Sequence, residues 1–534
     1  VKASLQKGKL VYKTALGIIE EDAPYAYQVI NNQKVEIDCK FTLNNNKIGF
    51  EVGNYNKNLP LIIDPTLIFS TYSGSTSNNF GYTATFDSEG HLFSGSTIFG
   101  ANGTYPTTLG AFQKTFKGGV GGGGVAGTDI GISKFAQDGT SLIYSTYLGG
   151  FADEMPHSLF VNTRDELYVF GTTGSFNFPT TQSAYDTSFE SGTTPINLVN
   201  GLGVNYAVSC DLFVTRFSID GSSLMASTFI GGTENDGINN VDSLKYNYAD
   251  EVRGEIEIDS EDNVYIATCT KSQDFPMVGN PFQSTKGQGQ DGVIIKLNAD
   301  LSQILWSSFY GGNADDALYS LAITKNNDVY FTGGTNSNDL PAFSNFIFSV
   351  FVGGRSDGFV GRIKSTGDTL QESSYCGTDK YDQIYFVETD KDENIYLLGQ
   401  TESQGLAFVV NLDPDSIDYL NYDAGQFIIK FNSEIDSIWW STRFGKDDKA
   451  RPKANPNISP TAFLVDLCNS IYLSGWGGST NINAGNNIST TVDSMYITAG
   501  TAQQTTTDGS DFYLFVLSDD AQQVKQTNRN RFHR

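Results

Sequence analysis

The chain has 534 residues and a formal net charge of −26, which argues against nucleic acid as a partner because like charges repel. Aromatic residues make up 13% of the chain and charged residues 18%, a mixture that excludes a disordered chain and favours short β-strands. No run of eighteen apolar residues occurs, so we expect no transmembrane segment.

Residues 1–65 are expected to form a small, partial β-rich domain. The segments "KLVYKT", "YAYQVI", "KVEIDCKFTL" and "KIGFEVG" are typical of strands, and polar turn clusters such as "NNN" at 44–46 separate them. Pro65, in "IDP" at 63–65, stops this run before the next strand and marks the domain boundary.

Residues 66–523 repeat one pattern six times, in units of about 65–80 residues. The fourth copy shows it most clearly, with four predicted strands: "LWSSFYG" (305–311), "LYSLAIT" (318–324), "DVYFTGGT" (328–335) and "DGFVGRIK" (357–364). A lone four-stranded sheet cannot bury both faces, whereas sheets stacked around an axis can. The sequence therefore predicts an all-β fold, a β-propeller of six four-stranded repeats, with a short basic tail at 524–534.

The unit is taken to begin at a Ser-[Ser/Thr] strand, with copies at Ser70, Ser145, Ser227, Ser307, Ser373 and Ser441. The order [Y/W]-S-T-[Y/F]-x-G-G, D-x-x-[N/D]-x-[V/I]-Y-[V/I]-x-G-x-T, D-F-P-T and D-[G/A]-F-[V/I]-x-[K/R]-[L/F] resembles the bacterial seven-bladed β-propeller repeat (SBBP) over about residues 66–520. That resemblance leaves six or seven blades open. It implies an exported surface protein of Bacteroidota, of the kind carried by the type IX secretion system and linked to gliding or adhesion.

Four insertions interrupt the units, at 117–128, 190–209, 239–255 and 479–507. Loops of a propeller are expected on its rims, where binding usually occurs, although tolerated variation is favoured over a functional role. We therefore expect function, if any lies in the repeats, where the units differ.

Catalysis is not expected. The chain has three histidines (His91, His157 and His533) and no nucleophile-elbow or zinc-hydrolase motif. The five cysteines lie far apart and predict buried thiols rather than a disulfide framework or a zinc site, with one long-range disulfide left open.

Two sets of acids recur in register. One follows the Gly-Gly pair (Asp153, Asp236, Asp315, Asp316), and the other opens the fourth strand of the unit (Asp129, Asp211, Asp291, Asp357, Asp511). Recurrence in most units favours a structural task, namely satisfying turn amides. A ring of carboxylates at one channel mouth is the alternative.

Two kinds of residue outside this register are candidates for binding. Asp413, Asp415 and Asp418 in "DPDSID" offer oxygen ligands to Ca²⁺, although they do not match the twelve-residue calcium loop and a plain turn is the alternative. No other cofactor is expected. Trp476, beside "GGST", is a candidate sugar-stacking platform, whereas Trp306 and Trp440 occupy a repeated packing position.

These features together favour a non-enzymatic, extracellular or cell-surface scaffold for adhesion, protein interaction or assembly, with other surface proteins or polysaccharide as partners. The alternative is a carbohydrate-binding or carbohydrate-active propeller with its site at the channel mouth. A calcium-stabilised structural subunit is a third hypothesis. A filled channel favours the scaffold, and a polar pocket with close, non-repeated acids favours the enzyme.

Overall fold

The computed structural model describes residues 2–14, 17–21, 24–30, 33–44, 47–57, 59, 62–64, 71–100, 103–119, 127–190, 192–198, 204–342, 350–405, 407–408, 421–446, 453–466, 469–477, 495 and 511–519. The chain is divided into two compact units, and the second begins at Tyr72. Among the described residues, no helix is long and apolar enough to cross a membrane.

The N-terminal unit consists of short antiparallel strands, as the alternating sequence predicts. They are β1 (Lys2–Gln6), β2 (Lys9–Thr14), β3 (Gly17–Glu21), β4 (Tyr25–Ile30), β5 (Gln33–Ile37), β6 (Cys39–Asn44), β7 (Lys47–Val52) and β8 (Ile62–Asp64). Strands β1–β2–β3 form one sheet, β5–β4–β8 a second, and β6–β7 a hairpin. Ala26, Ile37 and Cys39 form its small apolar core.

The second unit is a six-blade β-propeller, as predicted. Blade 1 contains β9 (Asn79–Phe86), β10 (Leu92–Phe99), β11 (Thr128–Phe135) and β12 (Leu142–Leu148). Blade 2 contains β13 (Glu154–Val161), β14 (Leu167–Thr173), β17 (Asp211–Phe217) and β18 (Leu224–Ile230), with a hairpin of β15 (Ile196–Asn197) and β16 (Asn205–Tyr206) between its second and third strands. Blade 3 contains β19 (Glu255–Ile258), β20 (Val264–Thr270), β21 (Asp291–Leu297) and β22 (Ile304–Tyr310).

The remaining blades follow the same antiparallel order. Blade 4 contains β23 (Asp316–Ile323), β24 (Val329–Thr335), β25 (Asp357–Ile363) and β26 (Leu370–Cys376). Blade 5 contains β27 (Asp382–Thr389), β28 (Ile395–Thr401), β29 (Gln426–Phe431) and β30 (Ile438–Phe444). The described strands of blade 6 are β31 (Ser459–Val465), β32 (Ser470–Gly477) and β33 (Asp511–Ser518). Two short 3₁₀ turns, Asp242–Leu244 and Asp250–Val252, precede blade 3.

The boundary of the repeat differs from the sequence expectation by one strand. The Ser-[Ser/Thr] strand, taken as the first of each unit, is the last strand of the preceding blade: Ser307 in β22 pairs with Ile295 in β21. The Gly-Gly turn that follows it then leads to the first strand of the next blade. The copy at Ser70 lies outside the described residues.

The first strands of successive blades contact one another and so surround the central channel. Their free edges are bridged by side chains. Thr83 Oγ1 accepts a hydrogen bond from the Leu159 amide at 3.1 Å, and Ser320 Oγ accepts one from the Val387 amide at 3.0 Å. Glu255 occupies the same position in blade 3 and accepts from the Leu321 amide at 3.1 Å.

Apolar side chains fill the space between blades. The tyrosine near the start of each second strand is wholly buried in blades 2 to 5 (Tyr168, Tyr265, Tyr330 and Tyr396). Blade 6 differs, because Tyr472 at this position is 41% exposed and Leu514 is 75% exposed. Ile294, which corresponds to Leu514 in blade 3, is 1% exposed. The described residues therefore leave this face of blade 6 uncovered.

Candidate functional site: the channel plug and the blade junctions

The first strands share a β-bulge at one position. The bulged residues are Tyr82, His157, Tyr319, Tyr385 and Thr461, in blades 1, 2, 4, 5 and 6. In blade 4, three residues separate the paired residues Asp316 and Ser320 on either side of the bulge. In blade 3, eighteen residues separate their counterparts Asp236 and Glu255. Blade 3 therefore carries an insertion, 239–253, at the point where the other blades have a bulge.

This inserted segment, the channel plug (239–253), lies in the channel at the end where the first strands begin. It contacts blade 4, the next blade of the ring. The Tyr319 hydroxyl donates to the Leu244 carbonyl at 2.9 Å, and Arg355 Nη2 donates to the Lys245 carbonyl at 2.9 Å. The expectation that 239–255 forms a rim loop is therefore wrong, because residues of this segment pack against side chains of other blades.

Blade 5 provides a second set of contacts. Tyr246 lies against Tyr381 with ring centroids 4.5 Å apart. Asn247 Nδ2 donates to Gln400 Oε1 at 3.0 Å. The Tyr385 hydroxyl donates to Asp250 Oδ2 at 2.9 Å. The plug is thus held by side chains of a blade other than its own.

A buried ion pair is the centre of the plug. Asp250 is wholly buried and accepts from Arg253 Nε at 2.8 Å, as well as from the amides of Tyr246 and Asn247 at 2.8 Å. The guanidinium of Arg253 lies 4.3 Å from the centroid of the Tyr385 ring. Burial opposes the charged guanidinium, but the carboxylate of Asp250 outweighs this and raises the pKa of Arg253.

Burial and the same carboxylate raise the pKa of the Tyr381 and Tyr385 hydroxyls well above the ordinary value, so both are neutral donors. A second buried pair joins Lys245 Nζ to Glu251 Oε1 at 3.2 Å. The close, non-repeated acids that would favour an enzyme are present, but each is paired with a cation of the plug itself. This arrangement can hold the plug in place and hold the blades together.

The insertion at 190–209 packs over the plug. Ile196, Leu198, Val204 and Tyr206 around its hairpin form one apolar cluster with Val252 of the plug. Two of the four sequence insertions therefore meet at the same end of the channel.

The candidate residues from sequence lie in different places. Trp476 is at the end of β32, and its ring contacts Tyr248 of the plug edge to face, with centroids 5.7 Å apart. Its role in sugar binding stays a prediction. Asp413, Asp415 and Asp418 lie outside the described residues, as do Cys468 and 479–507 except Met495. In the described part of the chain, no three His, Cys, Asp or Glu side chains are placed to hold a metal ion.

The expected structural packing is confirmed elsewhere. Trp306 and Trp440 are buried between blades. Cys39, Cys210, Cys269 and Cys376 are buried free thiols. His157 at the blade 2 bulge lies against Phe170, and burial lowers its pKa to about 3, so it is a neutral core residue.

The recurring acids meet in pairs at the blade junctions. The first member opens the third strand of one blade, and the second opens the first strand of the next. The pairs are Asp129–Glu154, Asp211–Asp236, Asp291–Asp316 and Asp357–Asp382. Each pair faces the first glycine of the Gly-Gly turn or its equivalent. A Cβ atom on Gly149 would lie 2.6 Å from both Asp129 Oδ1 and Glu154 Oε2, so only glycine fits there.

The second acids hold this turn. Glu154 Oε2 accepts from the Gly150 amide at 3.1 Å, and Asp316 Oδ2 accepts from the Gly312 amide at 2.7 Å. This confirms that the acids satisfy turn amides. In the first junction the sequence pattern pointed to Asp153, whereas Glu154 is the residue in this position.

Residues 1–66 match a family described as a domain of unknown function, DUF7948. No curated protein matches the chain. A protein of unknown function from Dyadobacter fermentans is similar in structure, with a TM-score of 0.35 and 12% identity, covering 76% of this chain and 91% of that one.

Two functionally named structures are similar at the same level. The NanB sialidase of Streptococcus pneumoniae gives a TM-score of 0.36 at 9% identity, with 88% of this chain and 84% of that one covered. PorZ of Porphyromonas gingivalis, a surface component of the type IX secretion system, gives 0.31 at 11% identity, with 87% and 56% covered. At these scores, neither similarity carries an argument about function.

Proposed function

We propose that this protein is a non-enzymatic scaffold at the outer surface of a bacterial cell, whose propeller binds other surface proteins. The observation that carries the proposal is the channel plug. Binding sites of propellers and other folds are concave, and the channel is the concave feature common to all blades. Here one end of it is filled by the protein's own chain, through the ion pair of Asp250 and Arg253.

Export by the type IX system, with a role in adhesion or gliding, is the finer part of the proposal. It is supported by the resemblance of the repeats to the SBBP pattern. The net charge of −26 suits a soluble surface that repels other acidic surfaces and nucleic acid.

Hydrolysis assays on a panel of fluorogenic glycosides, including sialosides, test the non-enzymatic part. We expect no turnover above the buffer blank from the full chain. Turnover that is lost in Tyr385→Phe, which keeps the ring but removes the hydroxyl on Asp250, would show that the plug region is catalytic. A glycan array with the full chain and Trp476→Ala tests carbohydrate binding. Trp476-dependent binding would replace the protein-binding proposal by the carbohydrate alternative.

The surface location is tested on intact cells that produce the protein. Brief protease treatment should remove it from intact cells while a cytoplasmic marker survives. Protection in intact cells, with digestion only after lysis, would contradict the location. Deletion of the type IX secretion genes should abolish the surface signal, and an unchanged signal would refute that route while leaving the scaffold role intact.

A further inference from the structure

The paired acids at the blade junctions have an unequal supply of hydrogen-bond donors. The second acid is well supplied in the first three junctions: Glu154 receives Thr173 Oγ1 and the Gly150 amide, and Asp316 receives Ser337 Oγ and the Gly312 amide. The first acid receives an amide on one oxygen, Oδ2, such as the Gly287 amide on Asp291 at 2.9 Å.

The other oxygen of the first acid, Oδ1, lacks a hydrogen-bond donor in the described part of the chain. Among the described residues, no donor reaches Oδ1 of Asp129, Asp211, Asp291 or Asp357. All four aspartates are 0% exposed. A buried anionic oxygen without a donor is costly, and here it faces a second carboxyl group across the same glycine. The same deficit in four successive junctions points to a shared cause.

The fifth junction shows what can take that place. Beside Gly445, the amides of Gln426 and Asn457 occupy the position of the two acids. Asn457 Oδ1 accepts from the Lys446 amide at 2.8 Å, as Glu154 accepts from the Gly150 amide. In the orientation that its neighbours select, the Gln426 side-chain nitrogen donates to the Phe444 carbonyl at 3.2 Å. A neutral group with both a donor and an acceptor therefore fits this place, and a protonated carboxyl is such a group.

We propose that each of the four junction pairs binds one proton, carried by the first aspartate on Oδ1, and that the propeller is thereby stabilised by mild acid. The same place could also attract a divalent cation. A cation is disfavoured because Ca²⁺ takes six to eight oxygen ligands, whereas most of the carboxylate oxygens here already accept protein hydrogen bonds.

Charged neighbours differ among the junctions. Those that face the pairs are Lys117 and Asp153 in the first junction, Asp186, Glu190 and Asp274 in the second, Lys286, Asp315 and Asp339 in the third, and Arg443 in the fourth. Burial, with the partner carboxylate or other nearby acids, raises the pKa of Asp129 to about 7, Asp211 to about 9, Asp291 to about 6 and Asp357 to about 7.

The direction of the pH effect follows from linkage. The pKa of each first aspartate is higher in the folded chain than in the unfolded chain, where it is about 3.9. The folded state therefore holds protons that the unfolded state has released. Their stabilising contribution is complete below about pH 4 and is lost as the pH rises through the folded-state values, from about 6 to about 9.

Thermal unfolding of the full chain between pH 5 and pH 9 tests this. We compare it with the fourfold variant Asp129→Asn, Asp211→Asn, Asp291→Asn and Asp357→Asn, because asparagine has the shape of the neutral acid. The control is Asp138→Asn, Asp220→Asn, Asp300→Asn and Asp368→Asn, which removes four exposed charges, one from a hairpin of each of the same blades.

We expect the melting temperature of the natural chain to fall as the pH rises. The junction variant should lose much of this dependence and melt higher at pH 9, by about 2–4 °C, while the control keeps the natural slope. An unchanged slope in the junction variant overturns the proposal. If the fourfold variant does not fold, the four single variants carry the same test.

Added Ca²⁺ separates the proton from a cation. At pH 9, 5 mM CaCl₂ is added to one sample and EDTA to another. We expect each additive to shift the melting temperature of the natural chain and of the junction variant by the same amount. A rise with CaCl₂ in the natural chain that the junction variant lacks would show that a cation occupies the pairs, and would overturn the proposal.

Discussion

Blades 3 and 4 have the same four-strand plan and differ at one position in the first strand. Blade 4 has a single bulged residue there, Tyr319, whereas blade 3 has the channel plug, 239–253. A bulge already removes one residue from the pairing, so a chain can leave and re-enter the strand there without changing the alternation of side chains. The comparison shows that one insertion, at the bulge position of a first strand, is enough to fill one end of the channel.

Making blade 3 resemble blade 4 has the largest expected effect. Replacement of 239–254 by a single tyrosine leaves three residues between Asp236 and Glu255, as in blade 4. It removes the buried pair of Asp250 and Arg253 and uncovers Tyr319 and Tyr385. We expect the free energy of unfolding to fall by more than about 5 kcal/mol, beyond the range of ordinary single substitutions. Urea unfolding followed by tryptophan fluorescence measures this. Natural stability in this variant would mean that the plug is a passive loop and that blades 3 and 4 are equivalent without it.

Breaking the ion pair tests the electrostatic part of the same comparison. Asp250→Ala leaves Arg253 buried without its carboxylate and should cost about 3–5 kcal/mol. Asp242→Ala is the control within the plug, since the Asp242 side chain is 84% exposed, and should change stability by less than about 0.5 kcal/mol. Equal effects from the two substitutions would contradict the buried role of Asp250.

Equivalent positions in blades 3 and 6 extend the comparison. Ile294 is 1% exposed and Leu514 is 75% exposed. Ile294→Ala should cost about 2–5 kcal/mol because it removes buried methyl groups and leaves a cavity, and Leu514→Ala should cost less than about 1 kcal/mol. Chemical denaturation of both variants measures the difference. A cost at Leu514 as large as that at Ile294 would show that its side chain is covered in solution.

The smallest expected effect comes from removing the Tyr319 hydroxyl while its ring stays in place. Tyr319→Phe removes the donor to the Leu244 carbonyl and keeps the stacking on Tyr385, whose ring centroid is 5.5 Å away. We expect a loss of about 1 kcal/mol. Tyr55→Phe, at a tyrosine that is 38% exposed, is the control and should be neutral. If both variants unfold alike, the contact between plug and blade 4 is not energetically significant.

The repeated parts of the fold could be predicted from sequence, because their pattern has the period of a strand and recurs six times. Trp306 and Trp440 were expected at a repeated packing position and are buried between blades. The strand that completes each blade was assigned to the wrong sheet, since the sequence repeat is the same wherever its start is placed. Only the pairing of Ser307 with Ile295 reveals the boundary.

The plug could not be predicted, although its sequence contained a signal. The insertion at 239–255 was recognised, but a loop of unusual composition can lie on a rim or in a channel. Two tyrosines, Tyr246 and Tyr248, are unusual in a solvated loop of this length. The hydrogen-bond partner of Asp250, Tyr385, comes from blade 5, and its proximity depends on how blades 3 to 5 are arranged around the channel. The donor deficit of Asp291 Oδ1 likewise follows from coordinates and has no sequence signature.

The side-chain bridges between first strands have a consequence for amide exchange and for association. The edge amides of Leu159, Leu321 and Val387 have no partner strand, yet each donates to a side chain of the neighbouring blade. These amides should exchange with deuterium as slowly as those inside a sheet. Because these amides already donate hydrogen bonds, the edges of the first strands are also poor sites for pairing with a strand of another molecule. The propeller is thereby protected from aggregation through these edges.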